Sequence, residues 1–155
     1  MCQRKQDKSF RIKKNMENVK LFIESNIWCY YFDESSKEHK AVASYLDDIL
    51  SKKDVVMNSI VIMELSHYLI KNLGPIKGKE KIERLLEFPF QIEDFDYELM
   101  RSSVEALSEY SHTGVGGRDA TIIATMKKLG IKNLLTHDKT FKKIDFIDVI
   151  DPIKQ

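Results

Sequence analysis

Four carboxylates stand in this chain where apolar side chains would otherwise close off a core. They are Glu24 at the end of VKLFIE, Glu64 inside SIVIMEL, Asp119 at the head of RDATIIATM, and Asp138 just after LLTH. At helical spacing Glu64 shares a face with Val61, Leu65 and Tyr68, and that face is expected to be buried. Asp119 opens the stripe continued by Ile122, Ile123 and Met126, so it too is expected to project toward the core side. An isolated ionised carboxylate in such a place costs several kcal/mol unless something cationic compensates it. The nearest Lys or Arg in the segments around Glu24 and Glu64 are Lys20 and Lys71, four and seven residues away, with only apolar or uncharged residues and His67 between. Oxygen-only donors of this kind suit a hard divalent cation such as Mg²⁺ or Mn²⁺, which would explain the four acids jointly.

Taken one at a time, each acid has a plainer role, and these readings stay open. Asp119 could complement the positive end of its helix, and Asp138 could cap the turn after its strand. Glu64 could reach a buried Lys or Arg.

Positioning the acids requires a scaffold, and the sequence alternates strand and helix signals. VKLFIES (19–25) is a nearly continuous apolar run of strand length, as a strand buried on both faces would be. SSKEHKAVASYLDDIL carries Ser35 and Glu38 in capping-box spacing, then Val42, Tyr45, Leu46, Ile49 and Leu50 at helical period. DVVMN reads as a second strand. SIVIMELSHYLIKNLG reads as a helix capped by Ser59 and ended at Gly74-Pro75, and KGKEKIERLLEF as a shorter one with Ile82, Leu85 and Leu86 inward. FQIEDF is a weak strand, and Asp96 caps a helix to about Tyr110. After the turn TGVGG come the helix bearing Asp119, the strand NLLTH, the turn KTFKKI and a last strand, FIDVI. Strands separated by helices imply an α/β chain with a mainly parallel, twisted sheet covered on both faces. Ligands of such sheets bind beyond the carboxyl ends of the strands, where Glu24 and Asp138 both fall.

The chain has 155 residues, 43% hydrophobic and 32% charged, with six Gly and three Pro, which excludes disordered and fibrous classes. Its formal charge of +1 conceals an asymmetry: residues 1–15 hold six Lys or Arg against one acid, leaving 19 basic and 23 acidic residues in the rest. Residues 1–15 are therefore expected to be a basic, flexible N-terminal arm and 16–155 a single domain, with Met16 an alternative start. No run approaches the roughly 18 apolar residues of a membrane span. Cys2 and Cys29 have neither metal-ligand nor disulfide spacing, as expected for free thiols of a reducing cytoplasm.

FIESN, SIVIMEL, GGRDATIIATMKKLGI, LLTHDKTF and the closing VIDP together resemble the PIN domain, the ribonuclease fold of VapC-type toxins. The likeness runs from about Val19 to Pro152. It implies a three-layer α/β/α fold in which Glu24, Glu64, Asp119 and Asp138 hold one or two Mg²⁺ or Mn²⁺ ions and catalyse RNA cleavage. Asn26 and Thr136 would be supporting polar contacts. The resemblance further implies products ending in 5′-phosphate and 3′-hydroxyl, a homodimer, and, for toxin members, a small antitoxin protein as partner. Arg118, Lys71 and Lys79, with Lys77 and Lys81, are candidate RNA-backbone contacts by charge position. Two departures stand out. Glu24 occupies a position usually held by Asp, moving the carboxylate by roughly 1.5 Å where sites are held to about 0.5 Å. Lys139 and Thr140 replace an acid that many PIN domains carry after the position of Asp138.

Rival readings follow other motifs. A PIN-like fold with Glu24 out of productive geometry would be a catalytically weak or inactive module that binds RNA or protein. Glu-x-x-His occurs at Glu64 with His67 and at Glu109 with His112, a spacing used by di-iron bundles, but the strand signals oppose an all-helical fold. TGVGGRD matches no phosphate-loop pattern, and its glycines are expected to turn the chain toward Asp119. The aromatic run WCYYF (28–32) is expected in the core or at a protein interface rather than as a base-stacking platform.

Overall fold

Strand β1 (Lys20–Ile23) is the middle of a five-stranded sheet with β2 (Asp54–Asn58), β3 (Gln91–Glu93), β4 (Asn133–Leu135) and β5 (Asp148–Ile150). The spatial order is β3-β2-β1-β4-β5, and every pair is parallel. These are the features of a computed structural model that describes residues 19–153. The expected arm over residues 1–15, with Cys2 and Met16, lies outside the described residues. Leu21, Phe22 and Ile23 are all buried, so β1 reads as an unbroken apolar run because helices cover both its faces. Among the described residues there are six helices: α1 (Ser25–Phe32), α2 (His39–Ile49), α3 (Ser59–Leu73), α4 (Pro75–Leu86), α5 (Tyr97–Glu109) and α6 (Gly117–Leu129). None is long and apolar enough to cross a membrane.

From β1 the chain crosses to β2 on one side and later to β4 on the other, so β1 and β4 flank the topological switch point. In such sheets the crevice opens at that point, beyond the carboxyl ends of the strands. The Glu24 N–H donates to the Leu135 carbonyl at 3.1 Å, carrying the β1–β4 ladder to the edge of that crevice.

Several local expectations change. β1 stops at Ile23 rather than running to residue 25, and α1 takes up WCYYF. Trp28 is buried and packs against Tyr31, Phe32 and Phe90 at ring distances of 5.9, 6.2 and 5.6 Å, so the run starts in the core, with Tyr30, Tyr31 and Phe32 half-buried against it. Ser35 does not cap α2. Its N–H and hydroxyl both donate to Asp33, and the helix begins after Glu38 without a side-chain cap. Ser59 is not the cap of α3 either. Asn58 accepts the Val61 N–H at 2.9 Å, while the Ser59 hydroxyl accepts the N–H of Phe95. Leu86 is 45% exposed although Ile82 and Leu85 are buried, because α4 presents only one face to α3.

Helices α3 and α4 form a tight hairpin through Gly74, whose φ of 85° only glycine adopts without strain. Their closest approach is at Gly78, where a Cβ would meet Ile70 and Leu69 backbone atoms at 2.7 to 2.8 Å. Backbone cannot step aside as a side-chain tip can, so Gly78→Ala is expected to destabilise the protein by about 1–3 kcal/mol. Urea unfolding measures this, and an unchanged midpoint would contradict the packing.

Candidate active site

Glu24 caps the crevice floor where β1 passes into α1, and it is 8% exposed. Its carboxylate is held by Thr136, whose hydroxyl donates to Oε2, and by Asn26, whose Nδ2 donates to the same oxygen at 3.2 Å. Thr136 is itself fully buried and accepts from Asn26 at 3.3 Å and from the Asp138 N–H at 2.9 Å. One hydroxyl thus uses its single donor and both acceptor sites, and it ties the end of β1 to the loop after β4. Asn26 and Thr136, the two polar residues singled out from the sequence, thus both bond to Glu24.

Asp119 stands in the first turn of α6. Its Oδ2 accepts the N–H of Gly116 at 3.0 Å, which closes the turn that delivers the helix. Asp138 accepts the Thr140 N–H at 2.8 Å through Oδ1, capping the short helical turn Lys139–Lys143. The plainer roles of these two acids are therefore real, and they do not exclude a shared one. One carboxylate oxygen from each of Glu24, Asp119 and Asp138 lies within 4.8 Å of the others.

Crowding and burial set the electrostatics. Burial, opposed by the Thr136 hydrogen bond and reinforced by Asp119, Asp138 and Glu64, pushes the Glu24 carboxyl up to about 7. Asp119 is raised as well, first by burial and then by Asp138 and Glu64, against the pull of the Gly116 N–H and Arg118. Such an assembly of like charges favours a cation in its midst. The donor set is all oxygen, the choice of Mg²⁺ or Mn²⁺ rather than of softer metals.

Glu64 stands apart from this group. Its side chain is 28% exposed rather than buried, its Oε1 pairs with Arg118, and its Oε2 accepts from the Ser25 hydroxyl at 2.9 Å. The face expected to be buried is buried at Val61 and Leu65, but Glu64 and Tyr68 stay partly exposed at its margin, beside Met63 and His67 on the surface. Sequence distance concealed the partner: Arg118 is 54 residues away along the chain. Lys71 joins Glu64, Arg118, His67 and Tyr68 around a cavity of about 690 Å³. Lys79 is exposed on α4. A cavity of about 790 Å³ at the amino ends of β1 and β2, lined by Lys20, Asp54 and Phe88, holds none of the four acids.

Two residues escaped sequence reasoning. Ser25 follows Glu24 directly, and only the fold brings it to Glu64. Asn58 is fully buried at the end of β2, where its Nδ2 donates to Thr121 and to the Thr125 hydroxyl at 3.1 Å, fixing α6 and hence Asp119 against the sheet. An Asn closing a strand ahead of an apolar helix was the available signal. Of the two Glu-x-x-His pairs, Glu109 is bound to Lys127 at 2.6 Å and both His67 and His112 are exposed, while the parallel sheet rules out a helical bundle.

The family model for the PIN domain matches residues 21–147. Ribonuclease VapC2 of Methanocaldococcus jannaschii is 27% identical over 146 residues, covering 88% of this chain and 96% of that protein. Among solved structures, Mycobacterium tuberculosis VapC20, described as a Sarcin-Ricin loop cleaving toxin, superposes with a TM-score of 0.71 at 22% identity, over 82% of this chain and 96% of that one. VapBC2 from Rickettsia felis, bound to a DNA fragment from its promoter, does so at 0.68 and 19%, over 86% and 98%.

Proposed function

The chain belongs to the PIN domain family, and from that premise we propose that it is a divalent-metal-dependent endoribonuclease acting on RNA phosphodiester bonds. The observation that carries this reading is the convergence of Glu24, Asp119 and Asp138 at the switch-point crevice, with Glu24 buried and ionisable only at a cost. Its likeness to Ribonuclease VapC2 over most of both chains supports the same reading.

Glu24, Asp119 and Asp138 would hold Mg²⁺ or Mn²⁺, with Glu64 the fourth acid within electrostatic reach of both Glu24 and Asp119. Bound there, such an ion supplies a Lewis acid for the phosphoryl oxygen and eases deprotonation of the attacking water. The protein's own contribution is positional. Thr136 and Asn26 fix Oε2 of Glu24, which offsets the extra methylene of Glu relative to Asp and keeps its carboxylate within the group. Gly116 and Thr140 likewise each hold one oxygen of Asp119 and Asp138. Arg118 and Lys71, which share the 690 Å³ cavity with Glu64, are the candidate contacts for the RNA backbone. Lys79, exposed on α4, is a weaker candidate, since it is not among the residues around that cavity.

The VapBC likeness supports a toxin role with an antitoxin protein as partner, and a homodimer is the assembly proposed alongside it. Incubating the purified protein with RNA in Mn²⁺, Mg²⁺ or EDTA tests the catalytic reading. Cleavage is expected with either ion and none in EDTA. Cleavage that persists in chelator would overturn the metal requirement, and intact RNA under all conditions would favour the inactive binding module.

A further inference from the structure

Hydrogen bonding divides the four acids unequally. Among the described residues, Glu24, Asp119 and Asp138 each accept protein hydrogen bonds on one oxygen only, and these are the three that converge. Glu64 has both oxygens taken, Oε1 by Arg118 and Oε2 by Ser25, and it is the one left out. A carboxylate oxygen can accept more than one bond, so what sets Glu64 apart is its place outside the group and its charge, compensated by Arg118.

Arg118 is the donor easier to release. Its side chain is 70% exposed, and ion pairs at that exposure are weak. It also directly precedes Asp119 in the first turn of α6, and it faces the cavity that Met63, His67 and Lys71 share with Glu64. A guanidinium binds phosphate as readily as carboxylate, through the same forked geometry. An RNA strand running from the acids into this cavity would bring a backbone phosphate within its reach.

We propose that Arg118 is a positioning residue that exchanges Glu64 for an RNA backbone phosphate. In the free protein Arg118 occupies Glu64 and holds it out of the metal group. When RNA takes the guanidinium, Glu64 is freed to join Glu24, Asp119 and Asp138. Metal binding and RNA binding then strengthen each other, since each benefits from breaking the same ion pair. The inference rests on the nuclease reading and adds a coupling between substrate and site assembly.

Two double-mutant cycles on the full chain test it without any cleavage: wild type, R118Q, E64Q and the double variant. In the first cycle Mn²⁺ affinity is measured calorimetrically without RNA. R118Q is expected to tighten Mn²⁺ binding about three- to tenfold when Glu64 is present, and by much less in the E64Q background. In the second, binding of a short single-stranded RNA is followed by fluorescence anisotropy in EDTA. Here R118Q is expected to weaken binding about three- to tenfold, and E64Q to strengthen it only while Arg118 is present. Equal Mn²⁺ tightening in both backgrounds would reduce Arg118 to a remote charge and overturn the exchange. So would an R118Q variant with unaltered RNA affinity. Wild type that takes up no Mn²⁺ overturns the nuclease reading itself, a result distinct from Mn²⁺ binding to which Arg118 is indifferent. R118K, which keeps the charge, is expected to stay nearer wild type in both cycles, and circular dichroism checks that each variant is folded.

Discussion

Glu24→Gln is expected to stabilise the metal-free protein at pH 8 by up to about 3 kcal/mol while abolishing cleavage. The Glu24 carboxyl titrates at about 7 in the folded chain against 4.5 for the free side chain. Between those values the folded state keeps a proton that the unfolded state has lost, so wild-type stability falls as pH rises through this window. The effect is absent below about 4.5 and complete above about 7. Glutamine stays neutral throughout and still offers an oxygen to Thr136 and Asn26, so the variant lacks that component of the pH dependence. The comparison is thermal unfolding in EDTA at pH 5 and pH 8. A gap between variant and wild type of roughly 6–12 °C should open at pH 8 and nearly close at pH 5. Added Mn²⁺ should narrow it by stabilising the wild type alone. Equal responses of the two proteins to pH would show that burial does not penalise the Glu24 charge. A group that weakens the fold when ionised, yet stands among three other acids, makes sense where ionisation is useful.

Asp119→Asn is expected to lower the cleavage rate by at least about 100-fold, more than the loss typical for groups that only support a metal ligand. Asparagine is nearly isosteric, and its carbonyl oxygen can still accept the Gly116 N–H that closes the turn into α6. The helix start should therefore survive, and the variant should fold as the wild type does. What it loses is a negative charge in the converging group. That charge is also one of the causes that raise the Glu24 carboxyl, so the fall in stability between pH 5 and 8 should shrink. Initial rates with Mn²⁺, circular dichroism and the pH series together separate the outcomes. A well-folded variant within a few-fold of wild-type activity would place the chemistry elsewhere.

Much of the architecture was legible along the chain because it depends on local patterning. The apolar run at Leu21–Ile23 and the segment DVVMN marked the two strands that are buried most completely, and helical periodicity marked α2, α3 and α6. Where reading failed, the competing interactions were tertiary. Ser35 has the right spacing for a capping box but donates to Asp33, and Ser59 gives up the cap of α3 to Asn58, whose amide also reaches α6. Leu86 fits the helical stripe of α4 and is exposed, since the stripe extends beyond the contact with α3.

The sequence by itself determined which acids were anomalous, because an ionisable side chain in an apolar run is a local fact. It also determined the parallel α/β scaffold and the end of the sheet at which Glu24 and Asp138 must emerge. Only the tertiary structure decided how the four acids divide. Glu24 and Asp138 meet because the β1–β4 pairing and the Thr136 hydroxyl draw their elements together, and Asn58 holds α6 so that Asp119 joins them. Glu64 is held aside by an arginine 54 residues distant and a serine 39 residues distant. Pairings across such separations are set by where helices pack on the sheet, and no spacing within one segment encodes them.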